Sequence, residues 1–235
     1  FAVANNQAVK MTMNFSVMAI GAELRNGFGI ELPISKDLIS SVTGTKTLNN
    51  VVNLDEKNLE KGHSKAVIIV FDNANENFES PVDVMTRTSH NQSEYALKEL
   101  EIEVRFTESI DMNLLTGAPY NPFIFSKSNR NKEVHLPGQQ PTALANQSIF
   151  KSGEDHTDLN TGYTYKNSQG LPWAINIPHK FRVPLERVSI DQAYNKFVNF
   201  AASPGSFTDW YTDAPGNRVS EKIYFPQNDP ALFTN

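Results

Sequence analysis

Between residues 99 and 106 the chain reads Glu-Leu-Glu-Ile-Glu-Val-Arg-Phe, an unbroken alternation of charged and apolar side chains. Successive side chains on a strand point to opposite faces, so Leu100, Ile102, Val104 and Phe106 can line a core while their neighbours stay in water. A helix would scatter the same residues around its circumference. The pattern recurs: Met11, Met13, Phe15, Val17 and Ala19 alternate with Thr12, Asn14, Ser16 and Met18, and Ile30, Leu32 and Ile34 alternate again. Asn26-Gly27 and Gly29 read as a turn between these two runs, which predicts a hairpin over 9–34. Pro33, which cannot donate to a ladder, places the second strand at an edge or near its own end. The continuous apolar run 66–71 has strand length and suits burial on both faces.

Thirteen Pro and twelve Gly are scattered along 235 residues, punctuating a succession of short elements. No internal repeat and no Gly-, Ser- or Pro-rich linker divides the chain, and 39% hydrophobic content is enough to fill one core. The stretch 107–170 reads as long loops with short strands, weakly marked around Ile124, Tyr163 and Tyr165. Strands are expected again at 173–177, 181–183 and 219–225. Ile190, Ala193, Tyr194, Phe197 and Ala201 share one helical face, Ser189 with Gln192 supplies a capping box, and Ser203-Pro204-Gly205 ends the run. The expectation is a mainly β chain: an antiparallel β-sandwich of jelly-roll type, one domain over 1–235, with one amphipathic helix over 189–202 as its longest helix. A pair of immunoglobulin-like sandwiches meeting near residue 110 is the alternative.

Several segments carry a family resemblance. They are Ala19-Ile20-Gly21-Ala22 with Asn26-Gly27-Phe28-Gly29-Ile30, Asn121-Pro122-Phe123-Ile124, and His135-Leu136-Pro137-Gly138 with Pro141-Thr142. Leu171-Pro172-Trp173-Ala174-Ile175-x-Ile177-Pro178, Pro184-x-Glu186, Ile190-x-x-Ala193-Tyr194-x-x-Phe197 and Asp209-Trp210-Tyr211 follow. In this order, from about residue 10 to 225, they resemble the LruC-type domain of bacterial envelope and secreted proteins. Two departures stand out. An acidic segment that often precedes the first strand in that family is missing, and Phe200 stands where the family tends to have Trp. The resemblance implies an envelope or extracellular setting, reached by lipoprotein or secretory export, and implies no activity.

Charge and composition exclude several classes. Net charge is −5, from 21 basic and 26 acidic residues with no basic stripe, which argues against nucleic acid as a partner. Without Cys there are no disulfides, thiolate metal sites or cysteine nucleophiles. No apolar run approaches the ~18 residues that a transmembrane helix needs. The opening Phe1-Ala2-Val3-Ala4-Asn5 reads as a cut from a longer exported precursor, with any signal or lipid anchor upstream.

Candidate chemistry is sparse. His63, His90, His135, His156 and His179 lie far apart without metal-ligand spacing and read as surface residues. Glu101 and Glu103 share a strand face, as the carboxyl pair of a glycosidase could, but Glu99 and Arg105 on that face mark it as solvated. Asp72-Asn73-Ala74-Asn75-Glu76-Asn77, just after a buried strand, reads as a turn. The loop holding Glu154, Asp155 and Asp158 is dense in hard oxygen donors, so calcium is the one cofactor that fits, with turn formation the plainer account. Trp173, inside an apolar strand, is expected in the core with Tyr194 and Phe197. Trp210 and Tyr211, after a Gly-Ser loop, are the candidate ligand-binding platform. No catalytic residue is assigned. The expected role is a non-catalytic envelope or secreted domain for adhesion, scaffolding or ligand recognition, with a cell-surface glycan or protein as partner. A carbohydrate-binding module is the alternative, and a glycosidase-like enzyme is the third reading.

Overall fold

A computed structural model describes residues 2–4, 6–21, 24–48, 50–78, 85–90 and 96–225. Among the described residues eight strands follow one another: β1 (Ala2–Ala4), β2 (Gln7–Ser16), β3 (Asn26–Ser35), β4 (Ile39–Thr43), β5 (Lys65–Phe71), β6 (Glu99–Asp111), β7 (Asn121–Ser126) and β8 (Asn129–His135). They form two antiparallel sheets, ordered β1-β2-β6-β4 and β5-β3-β7-β8. The protein is a mainly β sandwich. Residue 110, where a boundary between two sandwiches was the alternative, lies inside β6.

The alternation at 99–106 does what its period requires. Leu100, Ile102, Val104 and Phe106 enter the inter-sheet core, Glu99, Glu101 and Arg105 stay exposed, and Glu103 is half-buried. From the facing sheet come Ile30, Leu32 and Ile34 of β3 and Ala66, Ile68 and Val70 of β5. The alternate residues of β5, Val67 and Ile69, are buried on the other side with Phe123 and Phe125, beneath Val51, Val52 and Leu54. A covering loop therefore explains the continuous apolar run: β5 is dry on both faces.

The expected hairpin over 9–34 does not form. The first run is strand as far as Ser16 and the second lies within β3, but β2 pairs with β1 and β6 while β3 pairs with β5 and β7, in the opposite sheet. Asn26, Gly27 and Gly29 are not a turn; they lie within β3. The two glycines have another purpose. Gly27 pairs with Phe125 and Gly29 with Phe123 across the ladder, and a Cβ there would fall 2.1 Å and 2.5 Å from those rings. The absent side chains let two phenyl rings lie across the neighbouring strand. Pro33 does sit near the end of β3, beyond the last β3–β7 pair, Glu31 with Asn121, and in the irregular stretch of the β3–β5 ladder between Glu31 and Ser35.

After β8 the described chain forms no further strand. The expected strands at 173–177, 181–183 and 219–225 do not form; this region holds isolated bridges, Lys166 with Pro172 and Pro184 with Ile223 among them. The expected helix over 189–202 is two short ones, α1 (Ile190–Ala193) and α2 (Phe197–Ala202). Its capping box at Ser189 and Gln192 is present. The break is at Tyr194, whose backbone turns to φ −128°, ψ 104°. Residues 193–195 there bond to 217–219, Val219 N–H to Ala193 and Asn195 N–H to Asn217, and the Tyr194 hydroxyl donates to the Arg182 carbonyl. Tertiary hydrogen bonds thus override the helical period, yet Ala193, Tyr194, Phe197 and Ala201 all remain buried.

Candidate functional site

Trp210 is the hub of the C-terminal region. It is 2% exposed, with the rings of Phe181, Tyr194, Phe197, Phe200 and Tyr211 between 5.0 and 5.9 Å away. The expectation of a surface platform at Trp210 is therefore corrected: aromatic surface on this scale is drawn inward where nothing else builds a core. Tyr211 is half-buried, packed edge-on against Trp210 and stacked near His179. Tyr194 and Phe197 are in the core as expected. Burial pushes the Tyr194 phenol up to about 12.

Trp173 is the converse correction, being 42% exposed rather than in the core. Its indole N–H donates to Asp155 Oδ1 at 3.0 Å. Asp155 also accepts from the Thr157 hydroxyl and from the backbone N–H groups of Lys151 and Thr157. Asp158 is paired with Lys151 at 2.8 Å and accepts from the Asn160 N–H, and Glu154 is exposed. The carboxylates chosen for calcium thus include two that close turns of their own loop. Among the described residues no group of three or more acidic or histidine side chains is placed to hold a metal ion.

Titratable groups converge elsewhere, beneath the outer face of the second sheet. The Arg130 guanidinium lies 4.9 Å from the centre of the Phe123 ring and 4.8 Å from that of Phe125. It reaches both oxygens of Glu60, from Nε at 2.6 Å and from Nη2, and Glu133 Oε1 from Nη1 at 2.5 Å. Glu60 meets His63 at 3.1 Å, and Glu133 meets His135 at 2.9 Å and accepts from the Thr142 hydroxyl at 2.6 Å. His135 Nδ1 lies 2.6 Å from Asn121 Oδ1. All of these side chains are buried. Burial alone would raise the Glu133 carboxyl, but the His135 hydrogen bond, the Arg130 charge and the Thr142 hydroxyl outweigh it and hold the group at about 2.

The sequence reading missed this network and took His63 and His135 for surface residues. Its trace was present: Arg130, Glu133 and His135 fall within seven residues, and Glu60 stands three before His63. Polar residues in a β8 without apolar alternation made the segment look like a loop. Glu101 and Glu103, the pair considered for sugar hydrolysis, stay on the wet face, with Glu103 bound to Lys10 and Arg105 at 2.7 Å each.

One open groove lies at the junction between sandwich and C-terminal region. It measures about 480 Å³ and is lined by Pro137 and Gly138, in the turn after β8, and by Tyr163, Lys166, Pro172, Ala174 and Phe200. The Lys166 ammonium sits 5.5 Å from the centre of the Tyr163 ring. A largely apolar lining with a few polar groups is the usual make-up of a ligand site.

Comparison with known proteins agrees with the architecture. The chain belongs to the family described as domain of unknown function DUF4842, whose model matches residues 6–211. It is similar to the crystal structure of a putative lipoprotein from Bacteroides ovatus, with a TM-score of 0.63 at 19% identity. The likeness covers 92% of this chain and 63% of that one, so the chain spans less than two thirds of its neighbour. At that identity the fold is what the two share. No curated protein matches the chain. Among the described residues, no helix is long and apolar enough to cross a membrane.

Proposed function

We propose that this domain is a non-catalytic recognition module of the bacterial cell envelope, which binds its ligand in the groove between the sandwich and the C-terminal region. One observation carries the reading. The densest cluster of titratable groups described, Glu60, His63, Arg130, Glu133 and His135, is sealed from solvent and bonds internally, whereas the open groove is lined by aromatic and aliphatic surface. Catalysis needs an acid or base within reach of a substrate; recognition needs a shaped apolar surface with a few polar contacts.

The envelope setting, with a lipid anchor outside the present sequence, is supported by the neighbour described as a putative lipoprotein, whose fold the chain shares. The LruC-type resemblance of its motifs points the same way. Adhesion and scaffolding remain within this proposal as consequences of binding.

The test is retention of solubilised envelope fractions by the immobilised domain, with a turnover screen over polysaccharide, peptide and ester substrates run in parallel. Saturable retention is expected, and Ala174→Arg, which drives a long side chain into the groove, should abolish it. Steady turnover of any substrate, lost in a single-residue variant, would overturn the non-catalytic reading.

A further inference from the structure

We propose that Trp173 is a pre-organised stacking platform for a sugar ring, which makes a pyranose-containing glycan the ligand class of this domain; Trp173 does not itself line the groove but stands in the chain between two residues that do, Pro172 and Ala174, and the assignment rests on the recognition reading above. Three observations converge. First, with 42% of its surface exposed, Trp173 is one of the few large apolar side chains left in water, while the chain's other tryptophan is 2% exposed. Second, its one polar atom is already consumed: Nε1–H donates to Asp155, so what it offers to solvent is ring carbon. Third, its orientation is locked through a chain of hydrogen bonds. Tyr165 N–H donates to Thr157 Oγ1, whose hydroxyl donates to Asp155 Oδ1, which holds the indole. Tyr165 is buried against His135, so the platform is tied into the sandwich.

The chemistry selects among ligands. A protein partner needs roughly 800 Å² of complementary surface on each side, far more than one ring. A membrane interface favours an indole whose N–H is free to meet headgroups, and this one is not. A pyranose presents an apolar face of C–H groups to a ring and hydroxyls around its edge. The exposed side chains of Lys151, Glu154 and His156, on the loop that anchors the indole, supply donors and acceptors of both kinds for such hydroxyls. Because Asp155 fixes the ring before binding, little rotamer entropy is lost when the sugar arrives. Asp155 is a positioning residue here, not a sugar contact.

The experiment is a glycan array on the folded domain, followed by titration of each retained glycan with tryptophan fluorescence as the readout. Trp210 is shielded, so a ligand-induced change reports on Trp173. Trp173→Ala should weaken binding tenfold or more with the melting temperature nearly unchanged, while Trp173→Tyr, keeping a ring, should stay within a few-fold of the parent. Asp155→Ala, which removes the acceptor that holds the indole, should fall between. Equal affinity in Trp173→Ala overturns the platform; if the same glycan is lost in Ala174→Arg, the groove reading survives alone. An array that retains nothing ends the sugar assignment, and the envelope-fraction test then judges recognition separately.

Discussion

The sandwich and the C-terminal region bury their apolar residues by different means. Between the sheets, aliphatic side chains repeat every second residue along paired strands, so each contact is backed by a ladder on either side. Among the described residues after His135 there is no ladder, and five aromatic rings gather around a single indole. A repeated pattern spreads its stabilisation over many equivalent sites, whereas a hub concentrates it. The buried ion network lies where the two meet: Thr142, Asn121 and Tyr165 connect Glu133 and His135 of β8 to the segment that follows.

The largest effect should therefore come from the seam. Arg130→Ala strips the cation from Glu60 and Glu133 and leaves two carboxylates buried without their partner. Removing one member of a buried pair costs about 3 to 5 kcal/mol, and here two pairs share the arginine, so the upper end is expected. Denaturation followed by fluorescence and by far-ultraviolet circular dichroism should shift together, since both regions lean on the network. A variant that melts like the parent would mean that the network is idle.

Trp210→Ala comes next, at about 3 to 5 kcal/mol for deleting a large buried aromatic. Here the two regions should part. Without its hub the C-terminal region opens first, so limited proteolysis should cut after residue 136 while the strands persist. A single concerted transition, with no early cleavage, would show that the aromatic cluster does not fold as a unit distinct from the sheets.

Acid sharpens the seam in a graded way. The Glu133 carboxyl is held at about 2 in the fold, below its ordinary 4.5. A depressed carboxyl contributes stability that is present above the unfolded value and is lost as pH falls through the folded one. The window is therefore about pH 4.5 down to 2, and the loss is on the order of 3 kcal/mol. Melting temperatures measured from pH 6 to 3 should fall more steeply for the parent than for Glu133→Gln. Parallel slopes would remove Glu133 from the acid response.

These contrasts also explain what the sequence could disclose. Strands β2, β5 and β6 are legible because period 2 is a local property, and one buried face is enough to enforce it. Partners are not local: the runs that begin at Met11 and Ile30 read correctly as strands, the first only as far as Ser16, and wrongly as a hairpin, because Gly27 and Gly29 mimic a turn while making room for Phe125 and Phe123. The tryptophans were exchanged for a related reason. Trp173 lies in an apolar run and Trp210 in a polar one, but without strands in that region the run says nothing about which way a side chain points. Glu60 and Arg130 meet across seventy residues, and no spacing rule reaches that far.

The smallest effect should be at Trp173, where the expectation from an apolar run and the observed exposure differ most. A core tryptophan would cost about 3 to 5 kcal/mol on truncation to alanine. At 42% exposed, with one hydrogen bond to Asp155, Trp173 has little burial to lose. The hydrogen bond contributes about 1 kcal/mol, and its loss leaves Asp155 with its backbone and Thr157 donors, so the net cost should stay near 1 kcal/mol. Thermal melting of Trp173→Ala beside Trp210→Ala measures the contrast directly: two tryptophans in one chain, one that the fold depends on and one that it merely holds. Equal losses would put Trp173 back in the core and remove the physical basis for a binding role.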